Sequence, residues 1–277
     1  MARRRVTGAL CGDGGDEDFA GYHRHQLQVL LGHLPRLPEG AGRWLSALTA
    51  GAGGSRRNPL WVAQRVATAL ALHPARRNLR FMGHFDEADK AWLYTPEFAA
   101  ATEGQATGDL MLDLYRESGA RDPLDAILYA EIGSSLADTL LPKVDITAMA
   151  HALEVRSPFL DHELMGFAAR LPASLKVRWL ESKWILKRAL RALLPKEILE
   201  RPKMGFGVPL DRWFGGDWRP LLHDVLLSER ALARGYFRPQ ALAELVRRWE
   251  RGGRFGQYHL YDLLVLELWH RRFVDSR

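Results

Sequence analysis

The sequence predicts a mostly α-helical chain that opens with one short β-strand, and three observations carry this reading. The apolar run Val6 to Leu10 is entered from a basic tail and left through the Gly-rich stretch Cys11 to Glu17, as a strand ending in a turn would be. Apolar residues then recur at three- and four-residue spacing over several long windows, which is the helical period. Strand signals after residue 12 are weak, and no repeat of about 20 to 50 residues points to a solenoid.

Phe19 to Leu31 reads as the first helix. From Leu34 to about Asn58 the chain is rich in Gly, Pro and Ala, and Gly51 to Arg57 (GAGGSRR) reads as a mobile loop ahead of a helical body. Asp122-Pro123 fits an N-cap with Pro at the first helical position, and the apolar pattern then runs to Leu141, where Pro142 is expected to stop it. In the next helix Ile146, Met149, Ala150 and Leu153 fall on one face, expected to be buried, with Asp145 placed as N-cap. Further helices are signalled by Asp161 before HELMGFAARL, by SKWILKRALRALL closed at Pro195, by ALAELVRRWE and by QYHLYDLLVLELWHRRF. The expected segmentation is 1–33 for the loop and first helix, 34–121 for a linker and helical insertion, and 122–277 for a helical region.

With 277 residues, 47% hydrophobic and 26% charged, the composition is that of an ordinary globular protein with length for one large or two small domains. The formal charge of +6 comes from Lys and Arg dispersed among Asp and Glu on amphipathic segments, which argues against a nucleic-acid surface. One cysteine, Cys11, allows no intramolecular disulfide, and Met1-Ala2-Arg3-Arg4-Arg5 is followed by no apolar signal core, so a reducing, cytoplasmic setting is expected. Apolar runs such as Leu263 to Leu266 fall far short of the roughly 20 residues needed to cross a bilayer, so no membrane association is expected.

Chemistry concentrates in Gly12-Asp13-Gly14-Gly15-Asp16-Glu17. Lying between a strand and a helix, it offers backbone N–H groups unobstructed by side chains at the positive end of a helix dipole, an arrangement suited to phosphate. Its acids would repel a polyphosphate unless a hard cation such as Mg²⁺ lay between them, with Asp16 and Asp13 nearest. Composition alone leaves a Gly-Asp turn with solvated acids, or a Ca²⁺-type loop, equally open.

Three blocks narrow the choice. CGDGGDEDFAGYHRH, LPKVDITAMAHALEVRSPFLDHEL and SKWILKRALRALLPKEILERPKMGFGVPLDRW occur in this order. Together they resemble the C-terminal part of the synthetase domain of the glutamine-hydrolysing asparagine synthetase family, over residues 6 to about 270. The resemblance implies an α/β fold of the nucleotide-binding ATP-pyrophosphatase type. It implies ATP and Mg²⁺, a carboxylate substrate such as aspartate activated as an acyl adenylate with release of pyrophosphate, and ammonia as the attacking nucleophile.

By position in the family's motifs, Asp13 would be the acid near the reacting centre and Asp16 a Mg²⁺ ligand. Gly12, with Gly14 and Gly15, would form the backbone cradle for pyrophosphate, and Cys11 would replace the usual serine. No partner base for Cys11 is evident, and covalent catalysis there is not expected. Lys203, in the Lys-Met-Gly-Phe-Gly loop with Gly205 and Gly207 behind it, would stabilise charge on the departing pyrophosphate. Asp145, Glu154 and Arg156 would shape the acceptor pocket, although their residue types fit an N-cap and a structural ion pair equally well. Ile146 stands where many bacterial relatives carry a basic residue, which leaves the acceptor open.

Two family features are missing from the sequence. Position 2 is Ala, not the glutamine-hydrolysing Cys, and the Ser-Gly-Gly-x-Asp-Ser loop that wraps the ATP phosphates occurs nowhere; GAGGSRR has the glycines but no acid. The expectation is therefore an incomplete nucleotide site, a first strand with unpaired edges, and dependence on a separately encoded N-terminal half carrying the glutaminase and the ATP loop. A catalytically inactive scaffold that binds a partner chain, or a related ring-forming amide synthetase, is the alternative.

Overall fold

The N-terminal apolar run forms β1 (Gly8–Leu10), and the loop and short helix that follow it build the region of interest. The computed structural model describes residues 1–35, 37–38, 40, 66–103, 107–201, 207–251 and 256–275; the GAGGSRR segment and Lys203 lie outside them. The chain divides into two compact units, one of residues 1–50, 63–81 and 107–204, the other of residues 51–62, 82–106 and 205–277.

In the first unit β1 is followed by α1 (Gly15–Asp18) and α2 (His23–Gly32). The single helix expected over 19–31 is thus replaced by two, the first starting four residues earlier. The break follows from local geometry: Ala20 has φ 56°, and a Cβ on Gly21 would lie 1.8 Å from Asp16 Oδ1.

Asp122 caps α3 (Pro123–Glu131), its carboxylate accepting from Leu124 N–H with Pro123 in the first turn, as the sequence predicts. Pro142 does not stop the chain. A π-helical stretch, Ile132–Leu140, runs directly into the helix Leu141–Met149, and the wide turn ahead of the proline accommodates its ring and its missing N–H. Asp145 therefore lies inside a helix and caps nothing. Ile146 and Met149 are 67% and 54% exposed, not core residues, because no described element covers that face.

After the helix the chain enters β2 (Glu154–Arg156), which pairs in parallel with β1 in the register Gly8 to Glu154, Ala9 to Val155 and Leu10 to Arg156. Three residues carry no readable period, so the sequence gives no sign of β2. Its presence corrects the expectation of two unpaired edges on β1: one is filled, and among the described residues the sheet has these two strands. Leu10 remains 76% exposed.

Asp161 caps the helix His162–Arg170 through Glu163 and Leu164 N–H, as its position predicts. A hairpin, β3 (Val177–Arg178) with β4 (Glu181–Ser182), then leads to α4 (Trp184–Leu190), which ends before the expected stop at Pro195. Among the described residues one apolar cluster of this unit joins Ala20, Leu124, Leu128 and Val177, flanked by Val29 and Ala173, and Phe19, Leu31, Ile127 and Leu136 are buried as well.

The second unit is helical and holds the larger apolar cluster among the described residues. Asp86 forms a capping box for the helix Glu87–Leu93. Leu93, Phe214, Leu222, Leu245, Leu260 and Leu264 are at most 2% exposed and lie in one cluster, supplied mainly by helices Leu210–Gly215, Arg219–Leu226, Pro239–Glu250 and Gln257–Trp269. The last two match the expected helices ALAELVRRWE and QYHLYDLLVLELWHRRF. No described helix is long and apolar enough to cross a membrane.

Candidate active site

The acidic loop leaves the end of β1 and is held there by the second sequence block. Cys11 N–H donates to the Arg156 carbonyl at 2.9 Å, and Ser157 Oγ donates to the Asp13 carbonyl. Phe159 and Leu160 pack directly on the loop: a Cβ on Gly15 would stand 3.1 Å from Phe159 Cδ2, and one on Gly14 2.3 Å from Leu160 Cδ2. Gly14 also adopts φ +86°, which side chains rarely tolerate. These two glycines are therefore accounted for by close packing of Pro158–Leu160. Gly12 alone of the three would present an added Cβ to open space, so its face is the one open to approach.

The third block reaches the same loop. Lys183 Nζ lies 2.8 Å from Asp16 Oδ1, its N–H donates to the Phe19 carbonyl at 3.1 Å, and its backbone is held at φ 55°. Asp16 is thus ion-paired with a lysine from α4's N-terminus, and both side chains lie over the bare Cα of Gly21. Sequence reasoning did not single out Lys183; an isolated lysine at a helix start carries no signal without the fold.

Cys11 Sγ donates to Asp13 Oδ2 at 3.1 Å. Burial pushes the thiol pKa up and the Asp13 carboxylate adds to this, which disfavours a thiolate. Glu154 and Arg156 form an exposed ion pair at 2.8 Å, and Asp145 is exposed on its helix. The structure brings Cys11, Gly12, Asp13, Gly14, Gly15 and Asp16 into one loop beside Arg156, while Lys203 lies outside the described residues.

Behind the loop runs a buried polar network that the sequence reading missed. Tyr22 Oη donates to Glu17 Oε1 at 2.7 Å, and the Arg24 guanidinium lies 3.7 Å from the centre of the Tyr22 ring. Arg24 in turn donates Nε and Nη2 to the two oxygens of Glu131, both at 2.7 Å. Asn78 Nδ2 adds a bond to Oε1 at 2.7 Å and His25 Nε2 one to Oε2 at 3.0 Å. Burial alone would raise the Glu131 carboxyl, but the bonds from His25 and Arg24 outweigh it and hold its pKa at about 2. Asp18, also buried, is pushed up to about 6 by burial and the nearby Glu17 charge, against the pull of Lys176.

Chemically, the loop offers an open glycine backbone beside one carboxylate, Asp16, that already balances a cation. Such a donor set fits Mg²⁺ held largely by phosphate oxygens with a single protein carboxylate, whereas an all-protein cage does not fit: among the described residues no three His, Cys, Asp or Glu side chains group as metal ligands.

Comparison with known proteins shows the family. A putative glutamine-hydrolysing asparagine synthetase of Mycobacterium tuberculosis is 28% identical over 282 residues, covering 99% of this chain and 40% of that protein. Asparagine synthetase 1 of Bacillus subtilis is 25% identical, covering 100% of this chain and 42% of that protein. An asparagine synthetase of Gallus gallus is 37% identical over 112 residues, 37% of this chain and 20% of that protein. The chain thus spans about two fifths of the length of the first two relatives. No solved structure matches it. The asparagine synthase family model covers residues 1–271, and the chain, with its domain of the ATP-pyrophosphatase α/β type, belongs to the asparagine synthase family.

Proposed function

We infer that this chain carries the pyrophosphate side of an ATP-dependent, amide-forming ligase site. The observation that supports it best is the convergence of three separated blocks on one acidic loop: β2 and Ser157 from the second, Lys183 from the third, and Gly12 to Asp16 from the first. A carboxylate substrate attacks the α-phosphate of ATP and displaces pyrophosphate to give an acyl adenylate, and ammonia then attacks the acyl carbon and displaces AMP to form the amide.

In this reading the open backbone at Gly12 receives phosphate oxygens and Asp16 contributes the protein ligand to Mg²⁺, which supplies charge neutralisation between loop and phosphates. Lys183, paired with Asp16, holds that carboxylate in place. Asp13, fixed through its carbonyl by Ser157, presents its carboxylate near the reacting centre, and Lys203 stabilises the leaving pyrophosphate. Asp145, Glu154 and Arg156 border the acceptor pocket. Aspartate is the acceptor by the commonest family reading, with Ile146 beside Asp145 favouring a different carboxylate as the alternative.

The Ser-Gly-Gly-x-Asp-Ser phosphate loop comes from a further polypeptide segment, covalent or separate, that packs on β1. The exposed Leu10 and a sheet that has two strands among the described residues support such an addition. The test combines the chain with a segment bearing that loop and supplies ATP, Mg²⁺, aspartate and ammonia. Formation of AMP, pyrophosphate and asparagine is expected from the mixture. Turnover at a normal enzymatic rate by the chain alone would contradict the need for the second segment, and AMP formation with another carboxylate but not aspartate would reassign the acceptor.

A further inference from the structure

Glu131 sits where α3 gives way to the π-helical stretch, a departure from α geometry that recurs at functional positions. It is fully buried, and each carboxylate oxygen accepts two donors, Arg24 Nε and Asn78 Nδ2 on one, Arg24 Nη2 and His25 Nε2 on the other. A carboxylate has about four acceptor positions, so this one is saturated and its orientation is fixed from four sides. The bidentate pairing in turn fixes the plane of the Arg24 guanidinium, and that plane lies on the Tyr22 ring whose hydroxyl is bonded to Glu17.

Buried ion pairs of this kind are a poor route to stability, since apolar residues of the same volume often do as well. What the arrangement does provide is position. Glu17 is 1% exposed and follows Asp16 directly, so holding its side chain from behind holds the turn that carries Asp13 and Asp16 at the front.

We propose that Glu131 is a positioning residue for the acidic loop, acting through Arg24 and Tyr22 on Glu17. The inference rests on the functional reading of that loop only in its second readout. Glu131 and Arg24 reach the loop through Tyr22, whose hydroxyl is bonded to Glu17 and also feels the charge of Asp16.

Hydrogen exchange on the full chain tests this without any ligand. In the wild type the amides of Gly15, Asp18 and Gly21 are bonded to the carbonyls of Gly12, Gly14 and Asp16. Tyr22→Phe removes one hydroxyl and keeps the ring under Arg24, so the fold should persist. The peptide covering residues 12–21 should then exchange about tenfold faster, the scale of losing one hydrogen bond to a charged group. The helix His162–Arg170 in the same unit should be unchanged. Arg24→Lys, which keeps the charge but not the paired donors, should do the same. Unchanged exchange over 12–21 in both variants, or an equal rise throughout the unit, would overturn the positioning role. As the second readout, affinity for inorganic pyrophosphate with Mg²⁺ should fall by a similar factor in both variants. A wild-type chain that binds no pyrophosphate would count against the proposed function, while the exchange result would still decide the positioning role.

Discussion

The two units differ in how much polar structure they bury beside their apolar side chains. In the second unit a cluster of Leu, Val and Phe side chains from four helices is buried, and Phe214 is completely buried at its centre. In the first, among the described residues, the apolar cluster around Leu124 and Leu128 is joined by a set of buried polar groups, Glu17, Asp18, His25, Asn78, Glu131 and Lys176. Apolar burial is non-directional, whereas a saturated carboxylate fixes the direction from which each partner approaches. The unit richer in buried polar groups is the one that carries the candidate site. Directional contacts suit a loop that must present Gly12 and Asp16 in one geometry.

Deleting one element of each unit is the strongest way to break this contrast. Glu131→Ala takes the carboxylate away from the fully buried His25 and Asn78 and from the partly buried Arg24, and should destabilise the first unit by about 3–5 kcal/mol. Phe214→Ala should destabilise the second by a similar 3–5 kcal/mol through cavity formation. Hydrogen exchange distinguishes them: the first change should expose residues 123–131, the second residues 257–269, and a shared response to both would erase the distinction.

Smaller effects sharpen it. Gly14→Ala must adopt φ +86° against Leu160 and should cost about 1–3 kcal/mol by chemical denaturation. Acid acts on both units, since Glu267 and Asp275 of the second are also held low by the bonds from Arg234; in the first, two buried carboxyls pull in opposite directions. Glu131, lowered to about 2, contributes stability that is present above its ordinary value near 4.5 and lost as pH falls toward 2. Asp18, raised to about 6, works in the other sense: its contribution is complete below about 3.8 and is lost as pH rises through 6. Asp18→Asn should therefore raise stability at pH 7 by about 1–2 kcal/mol and flatten the profile between pH 4 and 6. Asp122→Ala, which removes the cap of α3, should cost about 1 kcal/mol in a thermal melt.

The same contrast explains what could be read from the sequence. Helices of the second unit were legible in two ways: Pro239–Glu250 carries the 3.6-residue period that an apolar core imprints, and Gln257–Trp269 is a long, unbroken, largely apolar run free of Gly and Pro. Caps at Asp122 and Asp161 were legible because their chemistry is local. The Gly-Asp loop was found by composition, but the cause of two of its glycines was not: Gly14 and Gly15 answer to Phe159 and Leu160, some 145 residues away. Neither was β2, three residues long, nor the continuity through Pro142, which depends on a π-helical turn that no propensity marks. Arg24, Asn78 and Glu131 are far apart in sequence and look like solvated residues until the fold joins them.

The most direct test of the central claim is calorimetric titration of the purified chain with inorganic pyrophosphate and Mg²⁺, in the wild type and in Asp16→Asn. The account predicts Mg²⁺-dependent binding by the wild type, weakened about tenfold or more when the charged ligand to the metal is removed. Equal affinity in the two proteins, or no binding by a folded wild type, would contradict it.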